Sequence, residues 1–180
     1  MFIKVCGITA FEQVDWAIDL GYSAIGVVLH SRSVRYRPAD YARKLAQYAR
    51  GKISAVAVGV TFDEVAECYQ DFDFAQVYEP CGYDRVILAG DLEERSRDGV
   101  LFLYDSSRGS GETATFPSWL HDVRERLIIS GGLNADSVAG VIREYRPFGV
   151  DVSSGVEAVR GTKDYRLMKQ FITEVRNAVR

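Results

Sequence analysis

Apolar residues fall in short, nearly unbroken runs along the chain. The runs over residues 2–6, 23–29, 53–60, 74–78, 85–89, 100–104, 126–130 and 148–152 read as strands, eight in all. Near-continuous apolarity is what a strand covered on both faces requires. Between several runs the spacing turns helical. Phe11, Val14, Ala17 and Ile18 share one face, which Gly21 ends. Tyr41, Leu45 and Tyr48 follow Pro38, a residue suited to a first helical position. Val138, Val141, Ile142 and Tyr145 follow Asn134, a good N-cap, and Met168, Ile172, Val175 and Val179 mark a last helix. Thr9 with Glu12, and Thr61 with Glu64, each have the T-x-x-E form of a capping box and predict helix starts there.

Strand and helix in alternation mean parallel strands joined by right-handed crossovers. Eight such strands predict an α/β fold, a (β/α)8 TIM barrel, and one domain over residues 1–180. Barrels of this kind usually need at least about 200 residues. The shortage has a place. Residues 79–84 are too few for a crossover helix of normal length, and residues 90–99 allow only a short one. The expected barrel is therefore trimmed, with the helix between strands 4 and 5 missing or very short.

Composition narrows the function. The net charge is -3 and the arginines are dispersed, so no nucleic-acid surface is expected. No apolar run approaches the roughly 18 residues of a membrane helix, and the first residues lack a signal-peptide design. Three cysteines, Cys6, Cys68 and Cys81, stand at unrelated spacings, which predicts free thiols and a cytoplasmic location. With two histidines and no C-x-x-C pair, no metal site is expected.

Candidate chemistry gathers at strand ends, where barrels of this class carry their sites. Cys6 ends the first strand and is followed by Gly7, where a backbone can approach a ligand closely. Asp105 ends the sixth and opens the polar, glycine-bearing loop DSSRGSGETATF, which reads as a lid. IISGGLNADSV and DVSSGVE follow the seventh and eighth strands. Gly131 and Gly132 in one, and Ser153, Ser154 and Gly155 in the other, offer backbone N–H groups to a phosphate. HSRSVRYRP places Arg32, Arg35 and Arg37 after the second strand, where a guanidinium can grip an anionic group.

KVCGIT, GVVL followed by S-x-R-Y, the Asp-Ser loop, SGGLN, and RPFGVDVSSGVE with GTKD together resemble the phosphoribosylanthranilate isomerase family of tryptophan biosynthesis. The resemblance implies a cofactor-free Amadori rearrangement by general acid–base catalysis. It turns N-(5-phosphoribosyl)anthranilate into the matching 1-amino-1-deoxyribulose 5-phosphate. By position it implies Cys6 as general base and Asp105 as general acid. Arg35 would meet the anthranilate end, Gln76 and Asp151 other parts of the substrate, and the two glycine loops the phosphate. A thiolate at Cys6 would need a nearby cation or N–H groups, and Asp105 would need to be protonated. Three segments depart from the family pattern. Gln76-Val77-Tyr78-Glu79 stands for Q-L-H-G, the fifth strand lacks a lysine, and Thr115-Phe116-Pro117-Ser118-Trp119 lacks the Asp of Phe-Asp-Trp.

Two other readings stay open from the residues. One is a histidine-pathway type of sugar-phosphate isomerase, although that chemistry resembles an aspartate at the first strand's tip. The other is a non-catalytic barrel that binds a phosphorylated metabolite or a partner protein. The expected partners are a small phosphorylated substrate, no nucleic acid and no membrane. A homodimer is expected through a flank of strands 4 and 5 left bare by the lost helix, with Tyr78, Tyr83 and Val86 contributing.

Overall fold

Successive residues of a strand point to opposite faces, so period two decides which side chains enter a barrel. The computed structural model describes residues 1–95, 101–105 and 116–179. Its eight parallel strands close into a barrel in chain order: β1 (Phe2–Cys6), β2 (Ala24–Val28), β3 (Ser54–Val58), β4 (Phe74–Val77), β5 (Val86–Gly90), β6 (Leu101–Tyr104), β7 (Leu127–Ile129) and β8 (Gly149–Val152). Closure is made by β1 against β8, in a register that sets Lys4 beside Asp151 and Val5 beside Val152. All eight expected strands are present, although Val100 lies outside the described residues.

Cys6, Val28, Val56, Val58, Ile87, Ala89, Leu103 and Ile128 pack together as the barrel's interior, with Phe74 and Tyr78 against them. A second, larger core fills the space between strands and outer layer. It takes the alternate residues, such as Ile3, Val5, Ile25, Val27, Ala75 and Val77. Counting onward by two from the interior residues carries Asp105, Ser130 and Ser153 to the mouth at the strands' C-terminal ends.

The outer layer is uneven. Helices α1 (Phe11–Leu20), α2 (Ala39–Ala49), α4 (Ala135–Tyr145) and α5 (Tyr165–Val179) clad one side, and α3 (Asp63–Ala66) is one turn. Among the described residues no helix joins β4 to β5, and the described parts of the next two crossovers hold only 3-10 turns, at Glu93–Arg95 and Ser118–Val123. Aromatic side chains stand where helices would. Tyr83 lies flat on Phe62, with ring centroids 3.7 Å apart, and both rings meet Tyr69 edge-on. Trp119 and Phe116 pack on Tyr104 from outside β6. A hairpin of β9 (Glu157–Val159) and β10 (Thr162–Lys163) follows β8.

Local signals held at two helix ends. Gly21 adopts the left-handed conformation after α1. The Asn134 side chain accepts from the Asp136 and Ser137 N–H groups at 2.9 and 3.0 Å, and Ser137 reciprocates. Neither T-x-x-E box forms. Helix α1 starts one residue late, after Ala10, which makes Gln13 the third helical residue. Its carbonyl oxygen takes the Thr9 N–H at 2.8 Å while Glu12 faces solvent. Helix α3 starts after Phe62, and Glu64 serves Val60 N–H and His30 instead. The expected bare flank is also smaller. Val86 is 3% exposed and Tyr78 turns inward, so only Tyr83, 55% exposed, is on the surface.

Candidate functional site

The mouth of the barrel holds a cavity of about 530 Å³. Cys6, Arg35, Gln76, Asp105, Gly131, Gly132, Asp151, Ser153 and Ser154 all border it. Gly155 does not. Its missing Cβ makes room for the Leu133 carbonyl, which an added methyl would meet at 2.0 Å. The lid expected over residues 106–115 lies outside the described residues.

Cys6 is buried at the tip of β1, and a Cβ added to Gly26 would meet its Sγ at 2.9 Å and Lys4 Cε at 3.2 Å. Lys4 therefore lies alongside the thiol, both packed over the bare backbone of Gly26. Its Nζ donates to Asp151 Oδ1 at 2.8 Å, and Ser130 Oγ donates to Asp151 Oδ2 at 3.2 Å. Lys4 is fully buried. Burial pulls its ammonium down, but Asp151 and Cys6 together outweigh that and hold it above its ordinary value. The Cys6 thiol is pushed up, by burial first. Lys4, Lys163 and Arg35 pull it down without overcoming the burial, to which Asp151 adds. The resting site is thus a thiol beside a buried ion pair. The cation expected near Cys6 is present, in the same strand two residues before it. Residues two apart in a strand share a face, and that register was the signal for Lys4.

Across the cavity Asp105 extends from β6. Its backbone N–H donates to the Gly90 carbonyl at 3.0 Å, and the Tyr78 hydroxyl donates to its Oδ2 at 2.8 Å. Burial and the facing carboxylate push the Tyr78 phenol far above its ordinary value, so it stays a donor. Between these two ends, Gln76 Oε1 is buried with no hydrogen-bond partner among the described residues. An acceptor left so is costly unless a ligand supplies the donor.

Arg35 borders the cavity, but its fork is already held. Nε and Nη2 donate to the two oxygens of Glu157 at 2.7 Å each, a bidentate pair. Lys163 Nζ adds a bond to Glu157 at 2.8 Å and another to the Ser153 carbonyl at 3.0 Å, and Ser153 Oγ donates to the Cys6 carbonyl at 3.0 Å. Burial would raise the Glu157 carboxyl, but Arg35 and Lys163 override it and hold it at about 2. Gly7 serves this network. At φ 83° it has no Cβ, and Arg35 Cδ occupies the place 2.3 Å from where one would be. The closeness expected between Gly7 and a ligand is taken by Arg35 instead. Arg37 turns away, its Nε donating to the Thr9 carbonyl at 2.9 Å. Gly131 and Gly132, at φ 95° and 68°, turn the chain after β7 into the cavity wall.

Fold and site define a (β/α)8-barrel enzyme, with a thiol and a carboxyl set apart on two strand ends and glycine loops after the last two strands. The family model for N-(5'phosphoribosyl)anthranilate (PRA) isomerase matches residues 82–174. The chain belongs to that family. An N-(5'-phosphoribosyl)anthranilate isomerase of Ralstonia nicotianae is 33% identical to it, over 98% of this chain and 93% of the relative. A crystal structure of phosphoribosyl anthranilate isomerase from Thermotoga maritima superposes with a TM-score of 0.85 at 30% identity, over 98% of this chain and 99% of that one. A phosphoribosyl anthranilate isomerase in complex with reduced 1-(o-carboxyphenylamino)-1-deoxyribulose 5-phosphate superposes with a TM-score of 0.83, also at 30% identity, covering 98% of this chain and 99% of that one. The comparisons favour neither the histidine-pathway reading nor the non-catalytic one.

Proposed function

We infer that the chain is an N-(5'-phosphoribosyl)anthranilate isomerase of tryptophan biosynthesis, and that Cys6 and Asp105 divide its acid–base work. One observation carries the reading: both groups border one cavity, from strands three places apart around the barrel, with the glycine loops of β7 and β8 between them. Asp105 protonates the ribose ring oxygen. The bond from that oxygen to the anomeric carbon breaks and the nitrogen's lone pair forms a Schiff base. The Cys6 thiolate takes the proton from the adjacent carbon, and the electron pair left behind neutralises the iminium as an enolamine. Tautomerisation gives the ketone. One proton is lent and one is taken, so the product is an isomer and no redox partner is needed.

The remaining residues take supporting roles. Lys4 lowers the cost of a negative charge on Cys6. Gln76 Oε1 accepts from a substrate hydroxyl or N–H. Arg35, aimed by Glu157, meets the anthranilate carboxylate through N–H groups that Glu157 does not use. Ser130 and Asp151 border the ribose. The phosphate takes backbone N–H groups around Gly131, Gly132 and Ser154, with Ser153 and Gly155 shaping that loop. Three free cysteines agree with a reducing cytoplasm, and no helix among the described residues is long and apolar enough to cross a membrane. A Thermotoga maritima phosphoribosylanthranilate isomerase is dimeric. In this chain a homodimer through the β4–β5 flank would rest on Tyr83, so Tyr83→Arg should shift the sedimentation profile toward monomer.

The test of the activity is the fluorescence decay of freshly made phosphoribosylanthranilate with purified protein. Turnover by the wild type, with loss in Cys6→Ser and Asp105→Asn, is the expected result. An inactive wild type overturns the isomerase reading. Turnover retained in either variant removes that residue from its role.

A further inference from the structure

Tyr78 stands where the family resemblance implies a histidine, and nothing in the acid–base scheme yet uses it. Its backbone N–H donates to the Val60 carbonyl at 3.0 Å, which fixes the base of the side chain at the end of β4. The phenol then reaches past β5 to Asp105 on β6. That crossing is open because β5 offers only Ala89 and Gly90 to the cavity wall at this height. The Tyr78 hydroxyl meets Asp105 Oδ2 at 2.8 Å, and both residues border the cavity. Around them the cavity also presents Cys6 from β1, Glu79 after β4, Asp91 after β5 and Asp151 from β8, with Lys4 paired to Asp151.

We propose that Tyr78 is the positioning residue of the general acid, orienting the Asp105 carboxyl and stabilising the carboxylate left when its proton is given up. The proposal rests on the isomerase reading above. A phenol has one proton to donate. Donated to Oδ2, it makes that oxygen the acceptor, so the acid's proton is carried on Oδ1. As the proton passes to the ribose oxygen, charge grows on the carboxylate and the bond from Tyr78 strengthens. An interaction stronger in the transition state than in the ground state raises kcat rather than lowering KM. Hydrogen bonds to charged groups contribute enough to change a rate roughly ten- to a hundredfold.

The experiment compares wild type, Tyr78→Phe, Tyr78→His and Asp105→Asn by steady-state turnover of phosphoribosylanthranilate against pH. Thermal melts serve as the control for folding. The expected result is a roughly ten- to hundredfold lower kcat in Tyr78→Phe with KM within about twofold. The limb of its kcat profile that Asp105 sets moves to higher pH, because a carboxylate that has lost a hydrogen-bond donor is harder to form. Tyr78→His, which brings back a donor, turns over faster than Tyr78→Phe. A purely structural tyrosine would lower the melting temperature without moving the limb. Wild-type kcat in Tyr78→Phe, an unmoved limb, or equal rates in the Phe and His variants would overturn the proposal while leaving the isomerase standing. No turnover by the wild type would overturn both.

Discussion

Lys4 Nζ and Asp151 Oδ1 meet at 2.8 Å inside the closed barrel, on the two strands whose pairing completes the ring. Each is an expensive group to bury alone. Removing one leaves the other uncompensated, at a cost of about 3–5 kcal/mol. Lys4→Met and Asp151→Leu should each lose stability of that order in urea titrations at neutral pH. The double variant should lose less than the two single losses added together, because neither charge is then stranded.

The Cys6 thiol stands above its ordinary value because burial outweighs the cations around it. A base works only when deprotonated and its partner acid only when protonated, so Cys6 and Asp105 each set one limb of the pH profile. The Cys6 limb of kcat/KM, which reports groups of the free enzyme, should lie above the roughly 8.5 of an ordinary thiol. In Lys4→Met, provided it folds, the limb should move higher still, since the largest opposing pull on the thiol is gone. Two limbs both below about 8 in the wild type would contradict it.

Glu157 ties Arg35 to Lys163, and its carboxyl is held at about 2 instead of 4.5. A depressed acid stabilises the fold above its unfolded value and loses that contribution as pH falls toward its folded one. Glu157 should therefore contribute on the order of 3 kcal/mol at neutral pH, fading between about pH 4.5 and 2. Glu157→Gln should be less stable at pH 7 and show a flatter loss across that acid window. With its fork unpaired, Arg35 loses its aim, and KM should rise more than kcat falls.

Gly7→Ala tests the same network from below. The new methyl would meet Arg35 Cδ at 2.3 Å, and the backbone sits at φ 83°, where an L side chain is strained. Strain of this kind costs about 1–3 kcal/mol, and displacing Arg35 adds to it. A lower melting temperature together with a raised KM is expected, and a raised KM alone would place the whole effect on Arg35.

The eight strands were legible because strands covered on both faces read as unbroken apolar runs, and the missing helix was legible from the few residues, 79–84, between the fourth and fifth runs. Cys6 and Asp105 could be placed because they end such runs. Lys4 could be found only by carrying the period-two register back from Cys6. A lysine between Ile3 and Val5 otherwise looks like a surface break in a strand. Glu157 was harder. It lies 122 residues from Arg35, and no local pattern announces a pair across that distance. The T-x-x-E motifs misled because a box needs its threonine at the cap, and tertiary packing started both helices one residue later. Tyr78 was visible as a departure, yet its meaning depended on a neighbouring side chain two strands away.

The uneven outer layer gives the two halves of the chemistry different mechanical footing. Cys6, Gly131 and Ser153 follow strands braced by α1, α2, α4 and α5, while Tyr78 and Asp105 follow strands of β4–β6 faced, among the described residues, by rings and short turns. The two sides of the mouth should therefore differ in stiffness. Amide exchange should run faster in β4 and β5 than in β1 and β8, and a bound product analogue should slow it most on the compliant side. On the proposed division of roles, the distance between Asp105 and Cys6 would then be adjusted from the side of β4–β6, leaving the thiol and the loops after β7 and β8 in place.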